Sequence, residues 1–343
     1  MTRVIRLFVT GALALGCSTL LFAQQAGFSF HEDVDGKRID VLYNGKVLTA
    51  YCYYDSVMKP VLYPVKTLSG ITVTRGFPLD PQPGERVDHS HHVGLWLNYQ
   101  DVNGLDFWNN STAIPYERRR HYGTIYHDKV LKKKADGREA VLEIQALWKN
   151  HDGKLLLTER TAYQFRVADN NFIIDRTTSL KAPHEEVSLM DIKDGFLAIR
   201  VARELELPSE ESAKVVGKNG EVVEATLSQE AATGNDLSSE GLVGNDVWAT
   251  RARWVTLTGR KDNKDVSVTI IDHPDNPGYP AYWHARGYGL FAVNPLGQAP
   301  FSGGKEKLHL VVKENDTVTF RYRVVIHEGQ QLNTDQIDTM ARF

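Results

Sequence analysis

Three of the twelve histidines fall within four residues, in the run Asp88-His89-Ser90-His91-His92-Val93-Gly94-Leu95-Trp96. Imidazole changes charge near neutral pH and is also a common ligand of divalent metals. Two chemistries therefore fit. In one, His89 and His91 ligate a divalent metal, with further ligands from distant strands. In the other, His91 or His92 serves as a general acid or base. A third reading has the rings hydrogen-bonded to backbone or to structural carboxylates. Asp106-Phe107-Trp108 follows closely. An indole can fill a core or lay its flat apolar face on a sugar ring. Trp96 is expected in the core, with Asp106 and Trp108 as candidate substrate contacts.

A second group lies further on. The run Asp272-His273-Pro274-Asp275-Asn276-Pro277-Gly278-Tyr279-Pro280 cannot be a regular element, because its prolines break it. The stretch from Tyr282 to Phe291 then reads as a strand, with Tyr282, His284 and Arg286 on one face. Phenol, imidazole and guanidinium at alternate positions can bind hydroxyls or a carboxylate. His284 and Arg286 are candidate catalytic groups; Tyr282, Tyr288 and Asn294 are candidate substrate contacts. Between the two groups, Lys193 beside Asp194 offers a charge pair or a base. A lyase or epimerase needs a base for a carbon-bound proton and a positive group for the enolate, and these histidines and Arg286 could fill those roles. No Glu/Asp pair of the kind a two-carboxylate hydrolase uses stands out.

Such groups need rigid elements, and strand signals dominate the chain. Arg38–Tyr43, Val47–Tyr54, Val93–Tyr99, Ala140–Trp148, Leu155–Val167, Phe172–Leu180, Trp248–Leu257, Val266–Ile271 and Val318–Ile326 all read as strands. Asn44-Gly45, Asp136-Gly137, Asp152-Gly153, Asp169-Asn170-Asn171 and Asn315-Asp316 read as tight connections. The expected fold is all-β, a large antiparallel sandwich with few or no helices, and a short helix near Thr334 to Ala341. Residues 24–343 form a single domain in this reading, with a long polar insertion at about 208–246.

Residues 1–23 have a basic start, an apolar stretch and a small residue at the end, the pattern of a removable signal peptide. Cys17 in Ala14-Leu15-Gly16-Cys17 raises lipidation as a second outcome. A periplasmic or secreted location is expected, with no membrane span after the leader. Cys52 is then the sole cysteine, expected as a buried, inert thiol. The formal net charge is −3, and no basic stripe interleaves with aromatics, so nucleic acid is excluded as the expected partner.

The chain resembles an exported bacterial family of uncharacterised function, DUF6807, often labelled "methane oxygenase PmoA". The likeness rests on His89-Ser90-His91-His92-Val93-Gly94-Leu95-Trp96, Asp106-Phe107-Trp108, Lys193-Asp194-Gly195 with Arg200, and His273-Pro274 through Asn276, Pro280, Trp283-His284, Arg286 and Asn294-Pro295. A membrane oxygenase subunit needs spanning helices, so the label conflicts with the residues. The resemblance implies carbohydrate or glycoside chemistry, because such proteins tend to occur among sugar-catabolic proteins. The architecture also resembles the sandwich of aldose mutarotases, which pair histidines with a late carboxylate; here only Glu306 is available. The expected function is an exported carbohydrate-active enzyme of lyase, hydrolase or epimerase type, metal-assisted or not. The alternative is a non-catalytic carbohydrate-binding protein.

Overall fold

The computed structural model describes residues 26–343. The expected leader and Cys17 lie outside the described residues. The chain first lays down β1 (Phe28–Asp33), β2 (Arg38–Tyr43), β3 (Lys46–Cys52), β4 (Val61–Leu62) and β5 (Leu95–Tyr99). It then builds a long meander of β6 (Gly123–Ala135), β7 (Glu139–Asn150), β8 (Leu155–Ala168) and β9 (Asn171–Lys181). After β10 (Val187–Leu189) comes β11 (Gly195–Arg200). The polar stretch forms a hairpin, β12 (Ser212–Val216) with β13 (Val222–Thr226), followed by β14 (Asn235–Ser238). Next come β15 (Trp254–Lys261), β16 (Lys264–Asp272), β17 (Tyr282–Trp283) and β18 (Leu290–Asn294). The short helix α1 (Gln298–Phe301), β19 (Leu310–Val312), β20 (Thr317–Glu328) and helix α2 (Thr334–Met340) complete the chain.

Two eight-stranded antiparallel sheets result, ordered β1-β2-β3-β4-β5-β11-β18-β17 and β14-β15-β16-β20-β9-β8-β7-β6. The fold is therefore the large antiparallel sandwich read from the sequence. Its hairpins follow from turn chemistry. Asp169 and Asn170, at φ 48° and 61°, close β8 onto β9 in the left-handed region that short Asp and Asn side chains tolerate.

Alternation assigns the two faces of the first sheet. Leu95, Leu97, Tyr99, Leu197, Ile199, Phe291 and Val293 point into the main core, against residues of the second sheet such as Leu142, Phe165 and Val268. Trp96, Ala198, Leu290 and Ala292 point the other way and form a second, smaller apolar cluster with Cys52 and Trp108. The candidate chemistry lies on this outer face. Cys52 is buried there, and burial pushes its thiol up to about 11, so it is inert at neutral pH.

Some boundaries differ from expectation. The strand expected over Trp248–Leu257 starts at Trp254, because a 3-10 turn at Gly244–Val247 precedes it. The strand expected over Tyr282–Phe291 is a hairpin arm: β17 turns back at Arg286 to β18, with Arg286 bridged to Leu290. The polar stretch is largely ordered, and β14 zips onto β15 at the edge of the second sheet.

One residue of that edge strand is costly. Asp236 is 2% exposed, and its carboxylate makes no hydrogen bond among the described residues. Burial pushes its pKa up to about 7. The folded state thus holds a proton that the unfolded chain has released, so this residue's contribution to stability falls as pH rises from about 4 to about 7. Asp236→Asn is expected to match the wild type at acidic pH and to exceed it by about 1–3 kcal/mol near pH 8. Chemical denaturation at both pH values checks this; an equal difference at both would refute it.

Candidate functional site

A row of side chains crosses the outer face of the first sheet. Ala198 of β11 pairs with Trp96 of β5 on one side and with Ala292 of β18 on the other. The amide of His284, just past β17, donates to the Ala292 carbonyl at 2.8 Å. Trp96, Ala198, Ala292 and His284 therefore lie in line, about 14 Å from end to end at the usual strand spacing. The two alanines leave the middle of the row low, with the tryptophan at one end and the histidine at the other.

At the tryptophan end, the histidine loop is bolted down from beneath. Arg75, 1% exposed, donates to the carbonyls of Arg86, Asp88, His89 and His92 and to Asp88 Oδ1 at 2.8–3.2 Å. Arg200, fully buried, donates to the same Asp88 oxygen at 2.8 Å and to His92 Nδ1 at 3.3 Å. Burial opposes ionisation of Asp88, yet the His89 contact and the charges of Arg200 and Arg75 hold it well below the usual carboxylate range.

The three histidines do not alternate as a strand would place them. The loop turns at His89, whose φ is 43° and whose carbonyl accepts from the His92 amide at 2.9 Å. The rings converge. His89 stacks on His92 at 4.8 Å and on Tyr288 at 5.0 Å between centroids, while His91 meets His92 edge-on at 4.3 Å. His92 is 2% exposed, and Nε2 of both His91 and His92 is enclosed without a partner. Burial drives both to the neutral form, His91 down to about 2 and His92 well below its ordinary value. His92, with Nδ1 taken by Arg200 and Nε2 enclosed, and His91, with Nε2 enclosed against it, are packing elements whose enclosed nitrogens stand against their reading as the acid or base.

The metal reading also fails on geometry. Among the described residues, no three His, Cys, Asp or Glu side chains are grouped to hold an ion. The donor nearest to His89 is Asp88, whose Oδ2 lies 3.2 Å from Nδ1 and whose other oxygen is held by Arg75 and Arg200. Trp108 is likewise corrected: at 1% exposure, packed edge-on to His92 and against Trp96, its face is not offered to a ligand. Asp106 accepts from the Asn109 backbone and side chain at 2.8 Å, capping its own turn.

Sequence reasoning passed over Lys59. It is 3% exposed, donates to the His91 carbonyl at 2.6 Å and lies 5.1 Å over the Trp96 ring. Burial pushes its amine down to about 7, against the pull of Asp106.

At the other end of the row, His284 is 4% exposed. Nδ1 of His284 lies 2.9 Å from the Lys193 carbonyl, which can only accept, so Nδ1 carries the proton and the lone pair sits on Nε2. That nitrogen has no hydrogen-bond partner among the described residues, and the ring packs edge-on to Trp248 and Phe301. Burial lowers His284 to about 4, partly offset by the Lys193 carbonyl and by Asp194, whose Oδ1 is 4.0 Å from Nδ1. Asn294 is fully buried. Its amide donates to the Ile192 and Lys193 carbonyls at 2.9 and 3.0 Å and its oxygen accepts from Leu296. Asn294 therefore fixes the carbonyl that fixes His284; it is a positioning residue, not a substrate contact. Lys193 is exposed and paired with Asp194 at 2.6 Å. Tyr282 is 7% exposed, under Arg251, and Glu306 is an exposed partner of Arg251 rather than a second catalytic carboxylate.

The wall beside His284 comes from the end of the polar insertion. Ala249 and Thr250 exchange backbone hydrogen bonds with Trp283 at 2.9 and 3.0 Å, which sets Trp248 next to His284, ring centroids 6.5 Å apart. Trp248 is 38% exposed. Arg286 lies 5.4 Å over its ring and 6.0 Å from Tyr288. Leu207, Glu210, Asn245, Trp248, Arg286 and Tyr288 line a cleft of about 500 Å³. Tyr288 joins the two ends, since it stacks on His89 and sits beneath Arg200 at 4.9 Å. The open indole of this face is thus Trp248, which no periodicity had marked. A separate cavity of about 600 Å³, lined by Thr74, Gln82, Arg203 and Lys261 among others, contains none of the histidines.

The family model described as "Family of unknown function (DUF6807)" matches residues 38–342. The chain belongs to the DUF6807 family. No curated protein matches the sequence. Among solved structures, the galactosidase domain of alpha-galactosidase-sucrose kinase, AgaSK, aligns at 10% identity and TM-score 0.40 over 88% of this chain and 42% of that one. The GH36 alpha-galactosidase AgaB from Geobacillus stearothermophilus aligns at 10% and 0.38, over 88% and 41%. Galactose 1-epimerase from Lactobacillus acidophilus NCFM aligns at 10% and 0.37, over 89% and 99%. This DUF6807 chain spans about two fifths of either galactosidase chain. Nothing about its chemistry follows from likenesses this distant. Among the described residues, no helix is long and apolar enough to cross a membrane.

Proposed function

We propose that this DUF6807 protein is an exported carbohydrate-active enzyme that cleaves or rearranges a glycoside by acid–base chemistry, with His284 as the base. The observation that carries this reading is the state of His284: its pKa lowered to about 4 by burial, its tautomer fixed by the Lys193 carbonyl, its Nε2 without a partner among the described residues in a side chain that is 4% exposed and lies beside the exposed Trp248. A general base must be unprotonated, oriented and within reach of the proton it takes, and the first two conditions are met before substrate arrives. Trp248 offers a sugar the flat face that an apolar ring surface prefers. Arg286, over the Trp248 ring, and Tyr288 line the same cleft and carry hydrogen-bond donors, suited to a leaving oxygen or to developing negative charge. The leader-like start of the sequence supports a periplasmic or secreted location.

The test is turnover of a panel of neutral and acidic glycosides, followed as new reducing ends and as unsaturated products, from about pH 3 to about pH 9. The rate is expected to be level near neutrality and to fall as pH drops through about 4, where His284 gains its proton. Sugar binding without turnover at any pH would make the protein a carbohydrate-binding one. Absence of both binding and turnover would overturn the carbohydrate reading itself.

A further inference from the structure

Arg286 differs from the other arginines around this site. Arg75 and Arg200 share Asp88, and Arg86 and Arg203 share Glu206. Arg286 is exposed, and among the described residues its guanidinium forms no ion pair and no side-chain hydrogen bond. It is nevertheless held, because its guanidinium carbon lies over the rings of Trp248 and Tyr288. No ion pair or side-chain hydrogen bond among the described residues takes up its N–H groups, and those groups are what a carboxylate takes in a bidentate pair. The other exposed cation of the rim, Lys193, is already neutralised by Asp194.

We infer that Arg286 is the seat of a carboxylate and that the ligand of this cleft is an acidic sugar, a uronic acid with its ring against Trp248. This rests on the carbohydrate reading above and narrows it. Glu210 and Glu211 line the same cleft; Glu211 is taken by Arg86, and Glu210 forms no ion pair with Arg286, which leaves that guanidinium to a ligand.

Calorimetric titration of the full chain with glucuronate, galacturonate and their neutral counterparts, glucose and galactose, tests the inference. At least one uronate is expected to bind about tenfold or more tightly than its neutral counterpart. Arg286→Ala is expected to abolish that preference without moving the thermal midpoint, and Arg286→Lys to retain part of it. His284→Gln is expected to leave the preference in place. Neutral sugars binding as tightly as the acids would overturn the inference and leave the carbohydrate reading standing. A preference for uronates that survives Arg286→Ala would overturn the seat. No binding by any of these sugars would overturn both.

Discussion

Glu206→Ala is expected to lower the stability of this protein by about 3–5 kcal/mol, the usual cost of breaking a buried ionic cluster by removing one partner. Glu206 is 1% exposed, and its Oε2 accepts from Arg86 Nε and Arg203 Nη1, both at 2.9 Å. Arg200 stands 3.9 Å from the other oxygen. All three guanidiniums are buried, so without Glu206 they are left close together with less negative charge between them. Asp88 and Glu211 remain, and each is already engaged. A fall in the thermal midpoint of roughly 5–10 °C follows for a domain of this size. Because Arg86 lies just ahead of the histidine loop and Arg200 braces its Asp88, near-ultraviolet circular dichroism from the Trp96 and Trp108 environment should weaken as well. An unchanged midpoint would show that the cluster is dispensable.

His284→Gln should leave the fold intact and reduce kcat by about 10²–10⁴-fold, the range a single general base contributes. Glutamine keeps an amide donor for the Lys193 carbonyl but has no basic nitrogen, so it separates orientation from proton transfer. The matched comparison is His91→Gln. Its Nε2 is enclosed, so that substitution should act on stability and leave the pH–rate profile of surviving enzyme in place. If the two variants lost turnover equally at equal stability, the base would not be His284.

Sequence legibility divided along physical lines. Strands with one wet face declared themselves: β2 has the expected limits, and β7, β8 and β9 differ by one or two residues at their ends. Their turns did too, because Asn-Gly, Asp-Gly and Asp-Asn pairs tolerate positive φ. The alternation of Tyr282, His284 and Arg286 was also legible, since the ladder of β17 with β18 keeps that period through the bridge at Arg286.

What stayed hidden depended on partners far away in the chain. Nothing in His89-Ser90-His91-His92 announces that Arg75 and Arg200 bind beneath the loop and curl it out of strand geometry. The consumption of Asn294 by the Ile192 and Lys193 carbonyls cannot be read from Asn294-Pro295. Lys59 stands in Met58-Lys59-Pro60, where no pattern marks a buried amine. Trp248 looked like the first residue of a strand, whereas the 3-10 turn before it lifts the indole out to the rim.

That indole and the imidazole of His284, ring centroids 6.5 Å apart, come together by separate routes. His284 belongs to the sandwich and is held by its ladder. Trp248 is carried at the end of the stretch running from residue 208, which is secured at β14 and again at the Trp283 backbone. Under the proposed function, altering that one segment would change what the protein recognises while leaving the scaffold that holds His284 in place.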